Sequence, residues 1–211
     1  CDVYFYQIGL LIGANVLHDY SLKFGLGKVT GIELPYENSG FVPSPLWKKI
    51  TQLENWYGGD TANFSIGQGA LMTSPLHLAK MMAVFANDGK LVSPYIIKEI
   101  DGKDVTSSHR RISKLHVKKE TINAVRKGLR AVVDWESGTS HILASVPVSV
   151  AGKTGTAQTS RNENHAWFVG FFPYEKPQYL ISVFLERGGH GYACCVLAKQ
   201  IIEAMNEQGI L

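Results

Sequence analysis

Two runs in the last third of the chain decide the fold: Gly152-Lys153-Thr154-Gly155-Thr156-Ala157-Gln158 and His165-Ala166-Trp167-Phe168-Val169-Gly170-Phe171-Phe172-Pro173. The second run is rich in aromatic and β-branched residues, which favour β-strands. Two other segments share this composition, so the sequence predicts three consecutive strands at residues 146–151, 165–172 and 179–186. The first of these predicted strands runs directly into Lys153.

Helical periodicity precedes the predicted strands. Apolar residues recur at helical spacing between Phe5 and Phe24, with a break near Gly13. A clearer helix begins where Ser74 can act as the N-cap and Pro75 takes the first helical position. Its apolar stripe, which ends before Gly89, consists of Leu78, Met81, Met82 and Phe85. Residues 30–69 show no sustained period and predict a long, partly ordered stretch.

Two more helices are predicted, one by the spacing of Ile122, Val125, Leu129 and Val132 and one over residues 193–207. Residues 91–100 favour extended chain, and Asp101-Gly102-Lys103-Asp104 favours a hairpin turn. Helices followed by consecutive strands and a closing helix predict an α+β fold. In such a fold an antiparallel sheet is flanked by helices.

The bulk composition fits a globular domain. A chain of 211 residues with 45% hydrophobic content can supply a core, so residues 1–211 are interpreted as a portion of a single domain. The net charge of +3 indicates no nucleic-acid-binding surface. Because the chain has no initiator Met and opens directly on a helical pattern, we expect it to be the downstream part of a longer protein.

The residues around Lys153 have the chemistry of one wall of an acyl-transfer site. Lys153 places a positive charge beside a carboxylate or a shared proton, and Thr154 and Thr156 offer hydroxyl donors. Gly155 leaves room for the backbone of a substrate, and the N–H of Thr156 can stabilise an oxyanion. Taken alone, the same run also fits an ordinary strand with one basic residue.

These runs resemble the transpeptidase domain of class B penicillin-binding proteins. That family and the serine β-lactamases share three signatures, Ser-x-x-Lys, Ser-x-Asn and Lys-Thr-Gly. Lys153-Thr154-Gly155 matches the third, and residues 165–173 are similar to the strand that follows it in the family. Further upstream, the family's Gly-Gln-Gly segment and following helix are matched by Ser65-Ile66-Gly67-Gln68-Gly69, Thr73-Ser74-Pro75-Leu76 and Asn87-Asp88-Gly89. The likeness therefore covers nearly the whole chain.

The beginning of the chain resembles the second and third positions of the Ser-x-Asn signature. Asp2 stands where Asn is commoner, a variant that resembles the elongation-specific subgroup called penicillin-binding protein 2. An Asp side chain only accepts hydrogen bonds, whereas Asn also donates, so its contacts with substrate are expected to differ. The serine of this signature and the nucleophilic serine would both lie upstream. We therefore expect this chain by itself to be inactive and unlabelled by penicillin.

The resemblance implies that the parent protein is a D,D-transpeptidase, which cross-links peptidoglycan stem peptides through a serine acyl-enzyme and binds β-lactam antibiotics. Lys153, Thr154 and Thr156 match the positions that hold the carboxylate of substrate or drug. The N–H of Thr156 matches an oxyanion donor, and Asp2 matches the middle signature. Residues expected at the border of the cleft, or alternatively in a solvent-facing loop, are Gln158, Arg161 and His165.

Cysteine usage leaves one metal question open. Cys194 and Cys195 are expected to be small apolar residues of the last helix, since they lack the spacing of a zinc or redox motif. In some proteins that resemble this subgroup, the cysteine at the position of Cys1 joins upstream Asp and His residues around a zinc ion. One thiolate cannot hold a structural zinc alone, so no cofactor is predicted for this chain and zinc is an expectation for the parent only.

The family also implies a cellular setting: the outer, periplasmic face of the cytoplasmic membrane in the bacterial cell envelope, a role in cell wall synthesis and cell shape, and a membrane glycosyltransferase as partner. The membrane anchor and the N-terminal part of the protein would lie outside this chain. We therefore expect an incomplete sheet and exposed apolar surface that the missing part covers.

Two alternatives use the same fold. In a serine β-lactamase, water replaces the acceptor amine; the Gly-Gln-Gly segment and the long separation between Asp2 and Lys153 argue against it. A non-catalytic β-lactam sensor or scaffold would lack the upstream Ser-x-x-Lys, and fold alone does not exclude it.

Overall fold

The computed structural model describes residues 2–109, 111–159 and 163–211. The chain forms two compact units, one made of Cys1–His77 and Ser93–Arg110 and the other of Leu78–Val92 and Arg111–Leu211. Within the described residues, no helix is both long and apolar enough to cross a membrane.

Helices and short strands make up the first half of the chain, and the longer strands lie in the second half. The helices are α1 (Asp2–Ile12), α2 (Ala14–Lys23), α3 (Pro45–Trp47), α4 (Gly58–Ser65), α5 (Pro75–Ala86), α6 (Thr106–His109), α7 (Lys119–Asp134) and α8 (Tyr192–Glu207). A π-helical turn at Lys48–Gln52 continues α3, and a 3₁₀ turn occupies His141–Ser145. The strands are β1 (Lys90–Val92), β2 (Glu99–Ile100), β3 (Lys103–Asp104), β4 (Ile112–Lys114), β5 (Ala151–Ala157), β6 (His165–Phe172) and β7 (Tyr179–Leu185).

In the first unit, helix α1 packs on helix α4. Gly9 makes this close approach possible, because a Cβ at this position would lie only 2.3 Å from the Cβ of Ser65. The break between α1 and α2 falls at Gly13, whose φ of 86° favours glycine, as the sequence predicted. The expected exposed apolar surface is present on α1, where the large exposed side chains are Val3, Tyr4, Phe5, Leu10, Leu11 and Ile12.

The start of helix α5 confirms the predicted cap. The Ser74 hydroxyl accepts a hydrogen bond from the His77 N–H at 3.2 Å, and Pro75 is the first helical residue. The predicted hairpin is also present, because β2 and β3 pair on either side of Asp101 and Gly102.

A three-stranded antiparallel sheet in the order β5-β6-β7 forms the centre of the second unit. Its register pairs Lys153 with Val169, and Val169 with Ser182. Apolar side chains fill two clusters. The larger cluster includes Phe168, Phe172, Val183, Cys194, Cys195, Ala198 and Ile202, and the smaller one includes Met82, Ala151, Val169 and Phe171. The predicted α+β fold with an antiparallel sheet flanked by helices is therefore confirmed.

One predicted strand is wrong. Residues 146–150 precede the sheet, and β5 begins at Ala151, where the predicted strand was to end. Burial in the larger apolar cluster, and not pairing in a sheet, explains the valines at positions 146 and 150. Pro147 lies between them and lacks the N–H that a ladder requires.

Helix α4 begins at an ion pair that the sequence reading missed. The Asp60 carboxylate accepts hydrogen bonds from Lys48 Nζ and from the Tyr57 N–H, both at 2.8 Å. Burial opposes the charged form, but these hydrogen bonds outweigh it and lower the pKa of Asp60. The Asp60 hydrogen bond in turn raises the pKa of Lys48. Residues 45–65 are therefore more ordered than the sequence predicted.

This pair makes stability depend on acid pH. A carboxyl whose pKa is lower in the folded state binds fewer protons there than in the unfolded state, so its contribution is present above the unfolded pKa of about 3.9 and is lost as pH falls through the folded value. We expect the free energy of unfolding of Asp60→Asn to lie furthest below the wild type near neutral pH. The two should converge as the pH falls below about 4, the usual pKa of an aspartate.

Urea unfolding at several pH values measures this difference, with Glu207→Gln at the exposed end of α8 as a control for the loss of one negative charge. Parallel pH curves for wild type and Asp60→Asn would show that the carboxylate contributes nothing through its ionisation.

Candidate active site

Strand β5 carries the whole Lys-Thr-Gly-Thr run. Because side chains alternate along a strand, Lys153 and Gly155 lie on one face, and Thr154 and Thr156 lie on the other. Among the described strands β5 pairs only with β6, so alternate backbone groups of β5 point away from that neighbour. Backbone N–H groups that face outward from an edge strand are the kind of donor that an oxyanion or an extended peptide can use.

The Lys153 side chain is exposed and curls back onto its own strand. Its Nζ donates to the carbonyl oxygen of Thr154 at 2.8 Å and to the Thr154 hydroxyl at 3.3 Å. The ammonium group is thereby held beside the hydroxyl that the sequence predicts to bind a carboxylate.

A hydroxyl from another segment meets Thr154. Thr139 Oγ1 lies 2.8 Å from Thr154 Oγ1. A hydroxyl has one proton to donate and two lone pairs that accept. If Lys153 and Thr139 both donate to Thr154, the proton of Thr154 points to a third acceptor. The pair of threonines can thus deliver one hydroxyl proton to a bound carboxylate.

The segment that carries Thr139 is tightly held. The N–H of Gly138 donates to the Trp135 carbonyl at 2.8 Å, and the N–H of Ser140 donates to the Val132 carbonyl at 3.2 Å. A Cβ on Gly138 would lie 2.1 Å from the Val132 carbonyl oxygen, so a side chain there would displace the turn. Sequence reasoning missed Thr139, and its only signal was a glycine followed by two hydroxyl residues after a helix.

Thr156 is in contact with the start of helix α8. Its hydroxyl accepts a hydrogen bond from the Gly191 N–H at 3.3 Å. A Cβ on Gly191 would lie 2.8 Å from the Gly155 carbonyl oxygen and 2.8 Å from the Thr154 Cβ. Gly191 therefore lets the start of α8 approach β5, a role that the sequence did not indicate for the glycine-rich stretch 188–191.

The buried thiols behind this wall are not nucleophiles. Burial raises the pKa of both Cys194 and Cys195, so both remain protonated near neutral pH. The Cys195 thiol donates to the Ser140 hydroxyl at 3.6 Å, and both cysteines lie in the larger apolar cluster. The prediction that they are small apolar residues of the last helix is confirmed.

The predicted border residues lie at one end of the sheet. Gln158 is exposed just after β5, and His165 begins β6 opposite Ala157. The His165 ring accepts a hydrogen bond from the Arg187 N–H at 3.1 Å and packs edge-on against Phe184. These contacts give His165 a structural role, and its predicted position at the cleft border stays a prediction.

The remaining predicted site residues are Asp2, Cys1 and Arg161. Asp2 is exposed at the start of α1 in the first unit, whereas Lys153, Thr154, Gly155 and Thr156 share one strand of the second. Cys1 and Arg161 lie outside the described residues. Of the residues that the structure does describe, no group of three or more His, Cys, Asp or Glu side chains could hold a metal ion.

Comparison with known families identifies the family to which the chain belongs. The model of the penicillin binding protein transpeptidase domain matches residues 1–206. The chain belongs to this family.

Several similar proteins belong to one subgroup of penicillin-binding proteins. The chain is 33% identical over 219 residues to the peptidoglycan D,D-transpeptidase MrdA of Acinetobacter baumannii. Among solved structures, it matches the penicillin-binding protein PBP2 of Helicobacter pylori in complex with MreC at a TM-score of 0.89 and 32% identity. PBP2 of Pseudomonas aeruginosa, in complex with WCK 5153, matches at a TM-score of 0.88 and 33% identity. The resemblance to the elongation subgroup is confirmed.

Coverage is unequal in these comparisons. Each covers 96% or more of this chain, but the chain spans 33% of the Acinetobacter relative, 39% of the Helicobacter chain and 46% of the Pseudomonas chain. The chain thus corresponds to about a third of the length of the curated relatives that it matches.

The contact between Gly191 and β5 generates a test of the site role that the sequence predicts for this strand. Gly191 has an ordinary helical φ of −54°, so Gly191→Ala is strained by crowding and not by backbone conformation. We expect the variant of the full-length protein to react with penicillin at least about tenfold more slowly, because displacements of ~1 Å at a reacting centre can cost about 100-fold.

Second-order labelling rates with a fluorescent penicillin measure the effect. Gly128→Ala in α7 is the control, since a Cβ there meets nothing within 4 Å. Equal rates for Gly191→Ala, Gly128→Ala and wild type would show that this contact does not position the site.

Proposed function

We propose that the full-length protein containing this chain is a peptidoglycan D,D-transpeptidase, and that β5 forms the wall that binds the terminal carboxylate of the donor stem peptide. The observation that carries the proposal is the convergence of one ammonium group and three hydroxyls on this strand, from Lys153, Thr154, Thr156 and Thr139. Family membership and the D,D-transpeptidase relatives support the same reaction.

In the proposed reaction, a serine upstream of this chain attacks the carbonyl carbon between the last two D-alanines. A carbon–oxygen bond forms, the carbon–nitrogen bond breaks, and D-alanine leaves as an amine that has gained a proton. An amine from a neighbouring stem peptide then attacks the ester, so that a new amide forms and the serine regains its proton.

In both steps, the residues of this chain bind the substrate and orient it. Lys153 supplies positive charge near the substrate carboxylate, and the hydroxyls of Thr154 and Thr156 donate to its oxygens. The N–H of Thr156 stabilises the oxyanion that develops on the attacked carbonyl. Charge-assisted hydrogen bonds of this kind need a carboxylate on the ligand. A β-lactam carries its own carboxylate and can therefore occupy the same site.

Asp2 modifies the middle signature in this proposal. Its carboxylate offers only acceptors, so it can receive an N–H of the substrate or of a catalytic lysine but cannot donate to a substrate carbonyl.

The cellular setting is part of the proposal. The relatives named as peptidoglycan D,D-transpeptidases support a place in the bacterial cell envelope, on the periplasmic face of the cytoplasmic membrane. The Helicobacter PBP2 that the chain resembles was solved with MreC, which supports a comparable assembly here. A membrane glycosyltransferase is a second proposed partner, which the family resemblance implies. Zinc bound through Cys1 and upstream residues remains a proposal for the full-length protein, and metal analysis of that protein tests it.

The function is tested by acylation and by product analysis together. The full-length protein should label stoichiometrically with a fluorescent penicillin. Lys153→Ala should reduce the rate at least about 100-fold, because it removes a preorganised positive charge beside the carboxylate of the drug. Lys176→Ala, which removes an exposed lysine from the β6–β7 turn, is the matched control and should keep the wild-type rate. The 211-residue chain alone should remain unlabelled.

With a pentapeptide donor and an amine acceptor, mass spectrometry should find the cross-linked product and released D-alanine. Rapid turnover of penicillin would indicate a β-lactamase instead, and stable labelling without any cross-linked product would indicate a sensor. Stoichiometric labelling of the isolated chain would contradict the placement of the nucleophile upstream.

A further inference from the structure

A second feature of the chain has no part in the carboxylate wall. The first unit contains a cavity of about 200 Å³ beside helix α4. Two tryptophans, Trp47 and Trp56, line it together with three residues that carry amide side chains, Gln52, Asn63 and Gln68. The cavity also includes Gly69, so it is bordered by the Gly67-Gln68-Gly69 segment that resembles a family signature.

The geometry of that segment explains its glycines. The N–H of Gly67 donates to the Phe64 carbonyl at 3.0 Å, and the N–H of Gln68 donates to the Asn63 carbonyl at 2.9 Å. This pair of bonds is a Schellman motif at the end of α4, with Gly67 at a φ of 77°. Helix capping accounts for Gly67 but not for a glutamine after it, and that glutamine lines the cavity.

Both tryptophans are fixed before any ligand arrives. The Trp56 indole N–H donates to the Thr61 hydroxyl at 2.8 Å. The Trp47 ring packs against Phe41 with their centroids 4.7 Å apart, and the Trp47 N–H is bonded to the Ser44 side chain. Preformed aromatic surface lowers the entropy cost of binding, because the side chains are already ordered.

The charges at the cavity disfavour an anion. Lys48 is paired with Asp60 at 2.8 Å and with Glu54 at 3.5 Å, so the cavity has two carboxylates and one ammonium group. Amide side chains both donate and accept, which suits a neutral ligand with several hydroxyl or amide groups. The volume of the cavity is below the ~300 Å³ of ordinary ligand pockets, so the cavity holds one ring of a ligand and any further rings lie outside it.

A neutral ring with an apolar face, hydroxyls and an amide is an N-acetylhexosamine. We propose that this cavity binds one N-acetylhexosamine ring of the glycan strand in peptidoglycan. The inference rests on the proposed function, since it assumes that peptidoglycan is the substrate. It assigns the Gly67-Gln68-Gly69 segment to glycan binding, and peptide binding remains assigned to β5.

Titration of the full-length protein with chitotriose, followed by tryptophan fluorescence and saturation-transfer NMR, tests the proposal. We expect saturable binding with a Kd of about 1 mM and saturation transfer to the acetyl methyl groups, whereas maltotriose should not bind. Trp47→Leu should weaken binding at least about tenfold. Gln52→Ala, a change at an exposed residue that keeps both aromatic walls, should weaken it about threefold or more.

Trp135→Phe is the matched control, because Trp135 is an exposed tryptophan of the second unit and should leave the Kd unchanged. Absence of saturable binding, equal binding of maltotriose, or unchanged affinity in both cavity variants would overturn the inference.

Penicillin labelling of the same preparation separates the two proposals. Normal labelling without chitotriose binding overturns the glycan inference alone. A full-length protein that neither labels with penicillin nor forms cross-links overturns the proposed function and the inference that rests on it.

Discussion

The contact between Gly191 and strand β5 is the constraint on which the candidate site depends. It brings the first turn of α8 within van der Waals distance of Gly155 and Thr154, and it gives the Thr156 hydroxyl a backbone donor. No larger residue fits there without moving either the helix or the strand. The orientation of the hydroxyls on β5 is therefore a property of how α8 packs, and not of the strand alone.

The packing of α8 is in turn set by small residues. Cys194, Cys195 and Ala198 are fully buried on the helix side of the sheet, where they meet large side chains such as Phe168 and Phe172. Small residues facing aromatic ones fill an interior at normal density without cavities. The thiols act as apolar groups, because burial keeps them protonated. This packing fixes the start of α8. Lys153 lies on the opposite face of β5 and remains exposed to solvent.

Elements with a strong period were predictable from the sequence. Strand β6 has the predicted bounds of 165–172, β7 ends one residue earlier than predicted, and α5 begins at the predicted cap. Residues 146–150 were mistaken for a strand because buried valines have the same composition in a loop as in a sheet. Composition records burial, and the local signal against a strand in this stretch is Pro147, which has no N–H for a ladder.

Contacts between distant segments explain what the sequence reading missed. Thr139 and Gly191 gain their roles from β5, to which neither is adjacent in the chain, and the Lys48–Asp60 pair orders a stretch without a hydrophobic period. The candidate residues on β5 were predicted because they form one continuous run with a known resemblance. Thr139 and Gly191, which support them, are not part of such a run and were identified only in the folded structure.

The central claim is that the hydroxyls of β5 bind the substrate carboxylate. A crystal structure of the full-length protein acylated by penicillin tests it most directly. The account predicts that the drug carboxylate lies at hydrogen-bond distance, about 2.6–3.2 Å, from the hydroxyls of Thr154 and Thr156, with the acyl carbonyl oxygen facing the Thr156 N–H. A carboxylate held by other residues, with both hydroxyls out of reach, would contradict it.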